Sequence, residues 1–192
     1  LADAGKLGYV LFQMAPWVKY GEAALEYLAS LPARLPGTTI AVEFRDASWL
    51  AAHAEETLGL LSARGLAYAS VDAPRTPASV DDTVALTAPV AIVRLHARNR
   101  EGFMKQLQGR EPSVAEKYGY LYDRQELTGI VARGRALEGE ARQVYFKLNN
   151  NLGDAPAING EEIKELLGLE TADRAAVEEQ WRARRRAARR GP

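Results

Sequence analysis

The chain has 192 residues, of which 47% are hydrophobic and 26% charged, the apolar supply of one ordinary globular domain. Lys plus Arg equals Asp plus Glu at 25 each, so the formal charge is zero and no global field favours nucleic acid or an anionic membrane. Cysteine is absent, which removes disulfides, thiolate nucleophiles, Cys-ligated zinc and iron–sulfur clusters together, and a cytoplasmic setting fits that composition.

No apolar run approaches the roughly 20 residues that span a bilayer, and Leu1-Ala2-Asp3-Ala4-Gly5-Lys6 lacks the organisation of a signal peptide. Position 1 is not Met and a strand-like segment begins almost at once, which predicts that the natural protein starts earlier.

The first strand is read at Tyr9-Val10-Leu11-Phe12-Gln13. A helix follows over Glu22 to Leu31, with Leu25, Leu28 and Leu31 at helical spacing and Pro32 and Pro36-Gly37 ending it. The second strand, Ile40 to Arg45, leads to a helix from Trp49 to Arg64 that Ser48 can cap and Gly65 can close. The third strand is Ala67 to Asp72. Beyond Ala73-Pro74-Arg75-Thr76-Pro77 only a short turn or helix is expected, around Ser79 to Leu86. The fourth strand is Val90 to His96. Residues 99–122 then form a long, polar, aromatic-dotted and partly helical connection, followed by a helix from Asp123 to Leu137. The fifth strand is Val144 to Asn149. Asn159 is expected to cap a last amphipathic helix containing Ile163, Leu166 and Leu167, stopped at Gly168. This β–α–β–α rhythm implies an α/β fold with parallel strands covered by helices.

The division is a domain over residues 1–169 and a helix-prone basic tail over 170–192, ending in Arg182-Ala183-Arg184-Arg185-Arg186-Ala187-Ala188-Arg189-Arg190. A solvated terminal helix is the preferred reading of that tail. A nucleic-acid contact ranks last, because no second basic patch extends it.

Several segments together resemble the YecE-like family, also called domain of unknown function 72. They are Lys6 to Pro16, Ala41-Val42-Glu43-Phe44-Arg45-Asp46-Ala47-Ser48-Trp49, Val93 to Asn99, Tyr118-Gly119-Tyr120-Leu121-Tyr122 and Tyr145-Phe146-Lys147-Leu148-Asn149-Asn150. The resemblance runs over about residues 5 to 168. It implies a TIM-barrel-like (β/α)8 fold, N-terminally truncated, with five of the eight strands present as the fourth through eighth. It also marks departures: Ala97 stands where Gly is usual after the His, Phe103 where Trp is expected, and Lys147-Leu148 in place of a more aromatic or apolar pair. An open barrel fragment would leave two strand edges unpaired, so association that covers them, or poor solubility, is expected. A monomeric, cooperatively melting preparation of these residues would contradict this.

In such barrels the site forms at the C-terminal ends of the strands. Gln13, Glu43, Arg45, Asp72, Arg94, His96, Asn149 and Asn150 all fall there, and Arg98 follows closely. Residues two apart on a strand share a side, so Glu43 with Arg45 and Arg94 with His96 are expected to face one cavity.

Three chemistries fit. Glu43, Asp72 and His96 offer oxygen and nitrogen ligands for a divalent metal. The same three residues suit acid–base catalysis on a small polar, phosphorylated or unphosphorylated carbohydrate, as in sugar-isomerase-related barrels. Gln13, Arg45, Arg94, Arg98, Asn149 and Asn150 suit the orientation of a substrate or the simple holding of an anion without turnover. The bland alternative is a buried structural salt bridge between Glu43 and Arg45 or Arg94. No Gly-rich phosphate loop and no Gly-x-Ser-x-Gly elbow is present, so neither a nucleotide cofactor nor a serine triad is expected. His53 and Trp49 read as packing residues, and Tyr118, Tyr120 and Tyr122 as anchors of the long loop or as a lid.

Overall fold

A computed structural model describes residues 1, 3–76, 79–80, 83–151 and 153–172; the basic tail beyond lies outside the described residues. Among the described residues five strands, β1 (Val10–Gln13), β2 (Ile40–Glu43), β3 (Ala67–Asp72), β4 (Val90–Leu95) and β5 (Gln143–Leu148), form one sheet in chain order. Every pairing is parallel. Seven helices are present among the described residues: α1 (Glu22–Arg34), α2 (Ser48–Ala51), α3 (Ala54–Ala63), α4 (Arg100–Leu107), α5 (Val114–Tyr118), α6 (Arg124–Glu138) and α7 (Ala155–Leu167). The α/β class and the five parallel strands agree with the sequence reading. A closed barrel is not seen: the sheet is open, with β1 and β5 at its edges.

The two sheet faces differ in what covers them. On the outer face Val42, Phe44 and Tyr68 pack with Leu28 and Leu31 of α1, Trp49 of α2 and Leu61 of α3. Val93 and Leu95 pack with Leu127, Ile130 and Val131 of α6 and Ile163 of α7. Gly134 lets α6 approach closely, since a Cβ there would stand 2.3 Å from the Phe146 ring. The inner face is built from strand side chains of the other parity, Ala41, Ala67, Ala69, Val90 and Ile92, with Tyr9, Leu11, Ala88 and Tyr145 against them.

The inner face is curled. Four strand spacings of about 4.8 Å would hold β1 and β5 roughly 19 Å apart in a flat sheet. Yet the Tyr9 and Tyr145 rings meet edge to face with centroids 5.2 Å apart. Gly8 beside them leaves room for the Tyr145 ring, since a Cβ would fall 2.7 Å from its hydroxyl and push it aside.

Local structure departs from the sequence reading at three places. Helix α1 continues through Pro32 to Arg34 instead of ending there. Pro32 has no amide to give to the carbonyl of Leu28 four residues back, so the last turn lacks one helical hydrogen bond. The helix after β2 is split into α2 and α3, and Ser48 does not cap it. Its hydroxyl accepts a hydrogen bond from the Tyr20 amide at 3.0 Å, and its own amide is held by Asp46. His53 lies at the break, stacked on Tyr20 at 3.8 Å. Between β3 and β4 the described residues hold a turn, the Ser79 amide donating to the Thr76 carbonyl at 3.1 Å, which is one of the two forms expected there, and Thr87 accepts from the Tyr68 amide and donates to the Leu66 carbonyl. Finally, Asn159 lies inside α7, not at its start. It is buried and holds the Tyr122 backbone through both its amide oxygen and its amide nitrogen.

Candidate functional site

Register decides which strand-end residues can meet. Gln13 pairs with Glu43 across β1 and β2, while Val71 pairs with Arg94 and Asp72 with Leu95 across β3 and β4. Paired residues in a parallel sheet share a face and neighbours in sequence do not. Gln13, Glu43, Arg94 and His96 therefore belong to the inner face, and Asp72 to the outer one.

The inner-face group is compact. Glu43 is fully buried, and its carboxylate accepts hydrogen bonds from Arg94, from Arg45 at 3.5 Å, and pairs with His96 Nε2 at 3.1 Å. Arg94 also donates to Gln13 at 3.2 Å, and Gln13 is exposed at the edge of the group. Burial pushes the Glu43 carboxyl up, but the hydrogen bond and charge of His96 and the charges of Arg94 and Arg45 outweigh it and hold the group below the usual carboxylate range. Within this group two buried atoms have no hydrogen-bond partner, Nε of Arg94 and Nδ1 of His96; outside it the same holds of Asn150 Oδ1.

The outer group centres on Asp72. Arg98 forks onto it through Nε at 2.8 Å and Nη2 at 2.6 Å, Arg133 donates at 2.7 Å, and the Tyr122 hydroxyl donates at 3.0 Å. Arg98 continues to Glu126 at 3.0 Å, which also accepts from Tyr120 at 2.7 Å. Burial raises the Asp72 carboxyl, and the bonds and charges of Arg98 and then Arg133 outweigh it, leaving it below the ordinary carboxylate value. Burial, with the adjacent Asp72 charge, pushes the Tyr122 phenol well up.

The residues singled out in the sequence thus divide. Gln13, Glu43, Arg45, Arg94 and His96 come together; Asp72 and Arg98 form a separate group on the other face. The expected metal set of Glu43, Asp72 and His96 does not converge, and among the described residues no three His, Cys, Asp or Glu side chains are arranged to hold a metal ion. Asn149 extends the ladder from β5, its amide donating to the Leu95 carbonyl. Asn150 is buried and donates to the Tyr120 carbonyl and to Asn159, so it ties the long loop to the end of β5.

Sequence reasoning missed Arg133, Glu126 and Asn159. Glu126 carried a signal, because it stands three residues after Asp123 in a capping box that starts α6. Its second oxygen is what reaches Arg98. Tyr122 and Tyr120 act as anchors, with rings 4.9 Å apart. Ala97 adopts φ 70, the left-handed conformation that favours glycine, at the position where the resemblance expected Gly.

A family model described as "Protein of unknown function DUF72" matches residues 1–184. The match therefore reaches beyond residue 168, where the resemblance read from the sequence ended. The UPF0759 protein YunF of Bacillus subtilis (strain 168) is 32% identical over 170 residues, covering 87% of this chain and 60% of that protein. A crystal structure of a DUF72 family protein from Thermotoga maritima MSB8 superposes with a TM-score of 0.77 at 30% identity, over 87% of this chain and 60% of that one. A DUF72 family protein from Enterococcus faecalis V583 shares the fold with a TM-score of 0.77 at 24% identity, over 88% of this chain and 64% of that one. The chain spans less than two thirds of the length of each of these relatives.

Proposed function

The chain belongs to the DUF72 family of proteins of unknown function, and from that premise we propose that its inner-face group performs proton transfer on a small polar carbohydrate. The carrying observation is the pair of buried, unpartnered atoms, Arg94 Nε and His96 Nδ1. An unmet buried polar atom costs about 1–3 kcal/mol, so a native fold retains one where a ligand satisfies it.

The chemistry follows from how Glu43 holds its neighbours. When His96 donates its Nε2 proton to Glu43, Nδ1 carries the lone pair and is the base. A proton on the carbon beside a sugar carbonyl passes to Nδ1, the C–H electron pair becomes the C=C bond, and the carbonyl π pair moves onto its oxygen. Arg94 Nε–H stabilises the resulting enediolate. Return of the proton from Nδ1 to the neighbouring carbon, with the hydroxyl proton passing from one enediolate oxygen to the other, completes an aldose–ketose isomerisation with no oxidant or reductant. Arg45 and Gln13 orient the substrate, and Glu43 acts through His96 as a positioning residue.

Further parts of the reading rest on the relatives' length and on composition. The five strands are the C-terminal staves of a (β/α)8 barrel, residues 1–169 are the barrel part, residues 170–192 are a basic tail that the family match covers as far as residue 184, and the protein is cytoplasmic. Taken alone, the chain associates through its open β1 and β5 edges.

The test is exchange of solvent deuterium into a panel of aldoses and ketoses, followed by NMR. His96→Ala is expected to lower exchange at least about 100-fold, the scale of a lost general base. Ligand binding without exchange for any sugar would sink the enzymatic reading and leave a non-catalytic binding protein. That second reading draws support from the full engagement of Glu43 itself, which Arg45, Arg94 and His96 already occupy.

A further inference from the structure

A cavity of about 400 Å³ opens beyond the ends of β3 and β4, lined by Val71, Asp72, Pro74, Arg75, Arg98 and Arg100 among others. We propose that this cavity is a binding site for a phosphate dianion, separate from the inner-face group and independent of the reaction read there.

Arg98 is the centre of the argument. Asp72, 5% exposed, holds its Nε and Nη2, and Glu126 holds its Nη1, so the guanidinium plane is fixed before any ligand arrives. Those bonds use three of the five N–H donors of an arginine, and the side chain is still 35% exposed on the cavity side. A pre-oriented fork with two donors to spare loses little entropy on binding an oxyanion.

Charge points the same way. Asp72 and Glu126 are matched by Arg98 and Arg133. Arg100, exposed at the first turn of α4, adds a further positive charge to the lining, and Arg75 approaches from the loop after β3. These arginines come from separate segments and reach one cavity. The first amides of α4 add to the same potential. Its N-cap residue Asn99 makes no side-chain cap and gives its amide to the Gly119 carbonyl instead. Forked N–H donors around a concave space suit the tetrahedral oxygens of phosphate better than a planar carboxylate or a halide. The cavity also leaves room for a group esterified to the phosphate.

The experiment is a titration of the full chain with inorganic phosphate, followed by ³¹P NMR and thermal melting, at ionic strength held constant with chloride. Saturable binding is expected, with Arg100→Gln weakening it about tenfold, as for a lost charge-assisted hydrogen bond. Arg100 is exposed, so this variant keeps the fold, and Arg100→Lys should recover part of the loss. Arg34→Gln, which removes an exposed arginine in the last turn of α1 outside the cavity lining, should leave phosphate binding unchanged. No saturation above the chloride control, or equal weakening in Arg100→Gln and Arg34→Gln, overturns the site. Glucose 6-phosphate and glucose form the second arm. Tighter binding of the ester than of free phosphate identifies the phosphoryl end of a larger ligand, and equal binding identifies the free anion. Glucose binding as tightly as its phosphate overturns the proposal. Failure of this titration leaves deuterium exchange at His96 untouched, so the two readings fall separately.

Discussion

Two buried carboxylates stand at the ends of adjacent parallel strands, and their surroundings differ in one respect that matters. Both oxygens of Asp72 are taken, by Arg98 on each, Arg133 and Tyr122, and that group has no unpartnered buried atom. Glu43 is equally well served, yet its two main partners, Arg94 and His96, each retain a buried atom with nothing to bond. A polar network that satisfies every member acts as a brace between sheet, helix and loop. One that leaves inward atoms unmet has given up stability at that place, which is how binding and catalytic groups are commonly recognised.

Substitution should separate the two kinds of network. Asp72→Ala, which strands Arg98 and Arg133, is expected to cost about 3 kcal/mol of unfolding free energy in a urea titration. Because the folded Asp72 carboxyl lies below its ordinary value, its contribution is fully present above the unfolded carboxylate range and is lost as pH falls through the folded value. The difference between Asp72→Ala and the unaltered chain should therefore shrink only on the acid side; a difference that instead changed between neutral and alkaline pH would contradict the assignment. Tyr122→Phe removes one bond to a charged acceptor and should cost about 1.5 kcal/mol. His96→Leu, on the inner face, loses the bond to Glu43 but also removes an unmet atom, so a change within about 1 kcal/mol is expected. A loss as large as that of Asp72→Ala would make the inner group a brace as well. The smallest effect is at the junction of the two networks. Ala97 follows His96, is buried, and hydrogen-bonds Tyr122 through its backbone. Ala97→Gly should raise stability by about 0.5 kcal/mol by relieving its left-handed backbone, read as a shift in urea midpoint.

Strand position and side-chain parity were legible in the sequence. Val90-Ala91-Ile92-Val93-Arg94-Leu95 reads as a buried strand, and alternation alone brings Arg94 and His96 to one face. The separation of Asp72 was not legible, because parity within a strand says nothing about which face it shares with its neighbour until the register is known. Here the register sets Asp72 opposite Leu95. Arg133 and Glu126 were missed for a different reason: both look like ordinary polar positions on α6, and only the packing of that helix over β4 and β5 brings them to Asp72 and Arg98. Asn159 read as a cap because Asn is a common N-cap residue, whereas the structure uses its amide to hold the Tyr122 backbone.

The meeting of Tyr9 and Tyr145 ties the first and last strands of the sheet to each other although no backbone hydrogen bond joins them. The two rings lie toward the start of their strands, while Glu43, Arg94 and His96 sit at the strand ends of the same face. Shortening Tyr145 to a small apolar residue would remove that tie and leave space for a side chain at position 8. One aromatic pair thus sets how tightly the open sheet is curled, without touching any of the charged side chains at the strand ends.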